Sequence, residues 1–170
     1  KYITVPSATR PHNFYRIACS NPGTANVRLN GAAVPAFAFT NNFYYEFDNN
    51  TTNVIESDEP ILVSQYFTTQ QCGEPTPNGD PEMIFLNPIE QTISDVTLTS
   101  MRLLNTGSNA HYINVVVKNT AAALNSIKLD GINIGSGFTP VPQDPNFAYA
   151  QLTVNLGTHR IVCDSGFNAI

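Results

Sequence analysis

The sequence predicts an all-β protein, a β-sandwich or jelly-roll-like fold made of two related halves. Short runs of β-branched and aromatic residues recur every 8 to 15 positions, with turn residues between them. Helical periodicity is nearly absent, because Gly, Pro or Asn interrupts every window in which apolar residues recur at i, i+3, i+4 and i+7. The third observation is a phrase that appears twice, 100 positions apart: Val27-Arg28-Leu29-Asn30-Gly31 and Ile127-Lys128-Leu129-Asp130-Gly131. Each copy reads as a short strand running into a tight Asx-Gly turn, with Gly31 and Gly131 as structural residues of the motif. The likeness continues past the turn, aligning Asn42–Phe47 with Asn146–Gln151 and then Ile55–Ile61 with Val162–Asn168. Such repetition describes a scaffold built from a recurring unit.

Strands are predicted in the first half over residues 2–5, 14–19, 25–30, 37–39, 43–48, 53–56 and 61–68. Two more, over 82–86 and 92–100, lead into a second set over 111–119, 126–129, 147–155, 159–163 and 167–170. Single helical turns are expected at 87–91 and 120–124. Alternation puts Phe43, Tyr45 and Phe47 toward the core and Tyr44, Glu46 and Asp48 on the other face. Around Ile113, Val115 and Val117 the opposite face carries Tyr112, Asn114, Val116 and Lys118, the pattern of a central strand covered on both sides. The Pro- and Gly-rich stretch 70–81 separates the halves, giving 1–69 as a first β unit, 70–100 as a connecting loop with bridging strands, and 101–170 as a second unit. Together they make one compact domain.

Composition narrows the function. Charged residues are 12% of the chain against the usual ~25%, which leaves the hydroxyl- and amide-rich surface common in secreted β proteins. With eight Lys and Arg, a net charge of −5 and no basic run, nucleic acid and anionic membranes are poor partners. Direct membrane insertion is not expected, since no apolar run approaches the ~20 residues of a spanning helix. The chain starts at Lys1 without signal-peptide features and stops at Ile170 inside a strand pattern, which is expected of a fragment of a larger surface protein.

Chemistry-bearing residues are sparse. Cys19, Cys72 and Cys163 lack CxxC spacing and a nearby His, so zinc is not expected; one disulfide with a free thiol, or three buried thiols, both fit. Gly135-Ser136-Gly137 lacks the spacing of a nucleophile elbow and reads as a turn. His12, His111 and His159 are scattered, and neither a metal nor a cofactor is expected. Glu56, Asp58 and Glu59 cluster as a hydrolase's carboxylates would, but in a solvated turn before Pro60. The run 48–53 offers oxygens at alternate positions without the Gly and Glu of a calcium loop, and a hairpin connection explains it. In a glycosylating secretory route, Asn49 and Asn50 would each head a sequon.

One ordered set of motifs is more specific. Asp58-Glu59-Pro60-Ile61-Leu62-Val63-Ser64-Gln65-Tyr66 is followed by a Cys-containing loop, by Asn78-Gly79-Asp80-Pro81-Glu82-Met83-Ile84-Phe85-Leu86-Asn87-Pro88-Ile89-Glu90-Gln91, by Tyr112-Ile113-Asn114-Val115-Val116, and by Gly166-Phe167-Asn168-Ala169-Ile170. In this order they resemble the N-terminal domain family named after the IgG Fc-binding protein, over nearly the whole chain. The resemblance implies an extracellular or cell-surface module, and the Asn- and Thr-rich, Lys-poor composition is closer to the family's bacterial branch in Bacteroidota surface proteins. It brings no catalytic residues with it. Gly79, Asp80 and Pro81 have a structural reading as a capped turn leading into a strand, and Glu90 and Gln91 as hydrogen bonders between the halves.

The function expected is therefore a non-enzymatic module acting in adhesion or as a spacer, with neighbouring domains of the same chain, glycans or other surface proteins as partners. A carbohydrate-binding module is the alternative, with Tyr44, Tyr66 and Tyr149 stacking on sugars and Asp80 hydrogen-bonding beside them. A third reading is a strand-exchanging subunit of a surface fibre.

Overall fold

The computed structural model describes residues 1–10, 12–69, 81–101 and 111–170, and it is all-β but for one short helix. The chain divides into two compact units, Lys1–Pro88 and Ile89–Ile170.

Unit 1 contains β1 (Tyr2–Thr4), β2 (Asn13–Cys19), β3 (Arg28–Leu29), β4 (Ala32–Ala33), β5 (Tyr44–Asp48), β6 (Asn53–Glu56), β7 (Ile61–Phe67) and β8 (Glu82–Phe85). They form two antiparallel four-stranded sheets, ordered β1-β6-β3-β4 and β5-β2-β7-β8. Alternating residues of both sheets meet in a core of Tyr2, Ile17, Val27, Ile55, Val63 and Leu86. Burial of each such side chain contributes roughly 1.5–3 kcal/mol.

Unit 2 contains β9 (Ile93–Ser100), β10 (His111–Lys118), α1 (Ala121–Ser126), β11 (Lys128–Leu129), β12 (Ile132–Asn133), β13 (Thr139–Val141), β14 (Asp144–Val154) and β15 (Gly157–Ala169). Its strands belong to one sheet, β12-β11-β15-β10-β14-β13, with β9 also paired to β15. The long β15 does two jobs: residues 157–162 and, after a register shift, Phe167 pair with β9, while 161–162 also pair with β11 and 167–169 with β10. Ile113, Val115, Ile127, Ile161 and Phe167 fill the core.

The twice-occurring phrase makes the same hairpin in both units. Asn30 and Gly31 have φ of 53° and 81°, Asp130 and Gly131 52° and 83°, the left-handed pair of a type I′ turn. In each, the Asx backbone N–H donates to the neighbouring strand, Asn30 to the Val54 carbonyl at 2.8 Å and Asp130 to that of Arg160 at 2.9 Å. The register sets Ile55 opposite Leu29 and Ile161 opposite Leu129. The likeness at the last strand is thus Ile55 with Ile161, one residue from the sequence alignment with Val162.

Some elements differ from expectation. Residues 36–38, overlapping the expected strand 37–39, form a 3-10 turn, because Pro35 sets the backbone for it and Ala38 and Phe39 donate back to Pro35 and Ala36. Phe43 is 55% exposed rather than in the core. It sits in the turn that Asn41 and Asn42 make with positive φ, and alternation begins only at Tyr44. Residues 89–90 make a turn without extending into a helix, whereas 120–124 open α1, capped by Thr120 Oγ1 accepting from Ala123 N–H at 3.2 Å. β10 is central, paired with β14 and β15. Its outer face is covered only in part: Val116 is buried, but Tyr112 and Lys118 are exposed.

Candidate functional site

The outer face of the β5-β2-β7-β8 sheet gathers the side chains suited to recognition. Phe14, Arg16 and Ala18 of β2 alternate with the buried Tyr15, Ile17 and Cys19, so the first three point outward. Register then fixes their neighbours. Phe14 lies between Asp48 and Tyr66, with Met83 beyond; Arg16 lies between Glu46 and Ser64, with Phe85 beyond; Ala18 lies between Tyr44 and Leu62. The β5 edge of this grid is acidic, and the β8 side is apolar.

Arg16 ties the grid together. Its guanidinium carbon lies 4.4 Å from the Tyr44 ring centroid and 5.2 Å from that of Tyr66, cation–π contacts on two sides. Its Nε and Nη2 donate to Glu46 Oε1 at 3.0 and 2.7 Å, and this hydrogen bond pushes the guanidinium pKa further up. The charge is held and screened by aromatic walls. Phe14, Leu62, Met83 and Phe85 are exposed around it, a cluster of Tyr, Arg, Phe and Met of the kind enriched where proteins meet partners.

The predicted ligand residues divide. Tyr44 and Tyr66 are brought together, half-buried, with Arg16 between them. Tyr149 belongs to unit 2, opposite Val116 on β14, and is half-buried there. Asp80, Gly79 and Cys72 lie outside the described residues. Pro81 is exposed at the entry to β8, and Glu90 and Gln91 lie exposed just before β9. Cys19 and Cys163 are buried free thiols. Phe14, Arg16, Met83 and Phe85 escaped sequence reasoning as site residues; the alternation of residues 14–19 carried the signal for the first two, but which face is buried depends on the partner sheet.

The other polar clusters are structural. Glu56 pairs with Lys1 at 2.7 Å, and Asp58 accepts from the backbone and side chain of Asn26, which holds its carboxyl below the usual range. The run 48–53 makes a cross-braced corner in which the Asn49 and Asn53 amides bond reciprocally at 2.7 and 2.9 Å. Beneath it, Gln65 Nε2 donates to the Val5 carbonyl, Asn13 Oδ1 and Tyr15 Oη, at 3.2, 3.2 and 3.4 Å, and burial pushes the Tyr15 hydroxyl pKa up. Among the described residues no three His, Cys, Asp or Glu side chains converge as a metal site would require, and no helix is long and apolar enough to cross a membrane.

No curated protein and no solved structure matches the chain. A family model does: that described as IgGFc binding protein covers residues 1–170. The whole chain therefore belongs to the IgGFc-binding protein family.

Proposed function

We propose that the chain is a non-enzymatic, extracellular binding module of a cell-surface or secreted protein, and that it acts in adhesion through the outer face of the β5-β2-β7-β8 sheet. The carrying observation is the Tyr44–Arg16–Tyr66 stack set among exposed Phe14, Met83 and Phe85. Such a face offers wide aromatic contact area with one oriented charge, which favours another protein's surface. Membership of a family named for binding supports the same reading. A carbohydrate ligand would need a free aromatic face for the pyranose ring, and Arg16 already covers the facing sides of Tyr44 and Tyr66.

Surface plasmon resonance over immobilised IgG Fc and a mucin glycoprotein, run beside a glycan array, tests this. The expected result is binding to a protein surface that weakens at least about tenfold in Tyr66→Ala and Phe85→Ser. Binding confined to the glycan array would favour the carbohydrate reading. Absence of binding to every surface would leave a spacer role and sink adhesion.

A further inference from the structure

The outer face of the β5-β2-β7-β8 sheet has a counterpart in unit 2 with different chemistry. Ile17 of β2 lies between Tyr45 and Val63, as Val115 of β10 lies between Ala150 and Ala169. From that match, Arg16 opposite Glu46 corresponds to Asn114 opposite Gln151, and Ala18 opposite Tyr44 corresponds to Val116 opposite Tyr149. The ion pair of one face is thus an amide pair on the other, with Gln151 Nε2 donating to Asn114 Oδ1 at 3.3 Å. Val115 and Val117 fill the core, so Asn114, Val116 and Lys118 point outward. Beside them on the same face stand Phe147, Tyr149 and Gln151 of β14 and Asn168 of β15.

Tyr149 differs from Tyr44 in what covers it. The Arg16 guanidinium lies over the Tyr44 ring, whereas the equivalent Asn114 brings no cation. Among the described residues the half-buried Tyr149 ring meets no other ring and no cation, and its hydroxyl has no hydrogen-bond partner. Around it are planar amides: Asn114 diagonally across the ladder, Gln151 two positions along β14, and Asn168 on the far side of Val116. Opposed side chains on one face stand about 4.5–5.5 Å apart and diagonal ones about 7–8 Å, a spacing that one or two sugar rings span. Next to them lies a crevice of about 20 Å³ lined in part by Val116, Lys118, Phe147 and Asn168, room for a single water-sized group.

We propose that this face is a binding site for a neutral glycan, with the C–H face of a hexose or N-acetylhexosamine ring stacked on Tyr149. The uncovered ring offers its electron-rich π face to the sugar's C–H groups. Each primary amide carries both donor and acceptor, as does each sugar hydroxyl, so Asn114, Gln151 and Asn168 match hydroxyls at the ring's rim. The crevice seats one further hydroxyl. None of these side chains is a carboxylate, and Lys118, opposite Phe147, is the one cation among them. A neutral ligand therefore fits the charge pattern at Tyr149, where a charged one finds no counter-ion. The site is separate from the one proposed on unit 1 and does not depend on it.

The test is an array printed with neutral hexose and N-acetylhexosamine oligosaccharides beside their sialylated and sulfated forms. The chain should bind neutral members; Tyr149→Ala and Gln151→Ala should each lower that signal by about tenfold or more, and Tyr66→Ala should leave it unchanged. Gln151 is exposed, so its substitution reads lost contact without lost folding, and Tyr149→Phe, which keeps the ring, should retain binding. Absence of binding to any glycan would overturn the proposal, as would binding confined to the acidic members. A signal lost in Tyr66→Ala but kept in Tyr149→Ala would also overturn it, by placing the glycan on unit 1.

Discussion

Units 1 and 2 solve one construction problem with different chemistry. In both, a two-residue type I′ hairpin sits against a strand that also pairs on its far side: β6 takes β3 and β1, and the first part of β15 takes β11 and β9. In both, a central strand is flanked by the aromatic strand and by the returning one, β2 by β5 and β7, β10 by β14 and β15. Where the hairpin meets its neighbour, unit 1 uses neutral amides, Asn30 donating to Asn53 Oδ1 at 3.0 Å and accepting from Val54 N–H at 2.9 Å. Unit 2 uses charge: Asp130 accepts from Arg160 N–H at 2.8 Å and meets His159 Nδ1 at 2.7 Å. The backbone device is common to both, and the side chains at it can change in concert.

The sharpest way to separate the units is Gly135→Ala. In unit 2, α1 approaches the following 3-10 turn so closely that an added Cβ at Gly135 would lie 1.9 Å from the Leu124 carbonyl oxygen. In unit 1, Ala36 opens the corresponding turn with its methyl tolerated. Thermal melts should show Gly135→Ala destabilising unit 2 by on the order of 3 kcal/mol, and Ala36→Gly costing unit 1 under about 1 kcal/mol. An unchanged melt for Gly135→Ala would mean that α1 can move away.

Converting one corner into the other comes next. Asn30→Asp replaces the amide donor facing Asn53 Oδ1 by a second acceptor and should cost about 1–3 kcal/mol. Adding Asn53→His should restore part of that loss in a double-mutant cycle, if the corners are interchangeable.

The charged corner should also make unit 2 respond to pH. His159 faces two acceptors, Asp130 Oδ2 at 2.7 Å and the Asn155 carbonyl at 2.8 Å, so the imidazolium fits best. Hydrogen bonding to Asp130 raises the His159 pKa above its ordinary 6.5 and lowers that of Asp130 below 3.8. The His159 contribution is therefore complete below pH 6.5 and lost as pH rises through the raised value; that of Asp130 is complete above pH 3.8 and lost as pH falls through the lowered one. Between pH 6 and 9 the melt of unit 2 should decline with a slope that disappears in His159→Asn. A slope unchanged by that substitution would remove the corner from the explanation.

The smallest effect is expected at Arg16. Its ion pair with Glu46 is exposed, so Arg16→Ala should shift unit 1 by no more than ~1 kcal/mol while reducing any binding at the outer face. A large loss of stability would mark the stack as a structural clamp instead.

Much of this architecture is legible in the sequence. Asn-Gly and Asp-Gly between β-prone runs specify their turns locally, and alternation located the central strand at Ile113, Val115 and Val117. What sequence withheld depends on register. Residues 159–163 and 167–170 read as two strands because Gly166 interrupts the pattern, yet they belong to one strand whose pairing with β9 shifts register between Val162 and Phe167. The cross-strand meeting of Arg16 with Glu46, 30 positions away, follows only from the pairing of β2 with β5. Alternation puts Tyr44 on the face away from the core, but the cation between its ring and that of Tyr66 follows only from strand pairing.

The buried thiols offer a use of their own. Cys19 lies in the core of unit 1 and Cys163 in that of unit 2, where its Sγ packs at 3.6 Å from Ser126 Oγ. Neither is cross-linked, so the cohesion of each core does not depend on the redox state of the surroundings. A thiol reagent reaches such a group only when its unit opens. Each half thus carries an internal clock, and the labelling rates at the two sulfurs would time the opening of one half against the other without any engineered probe.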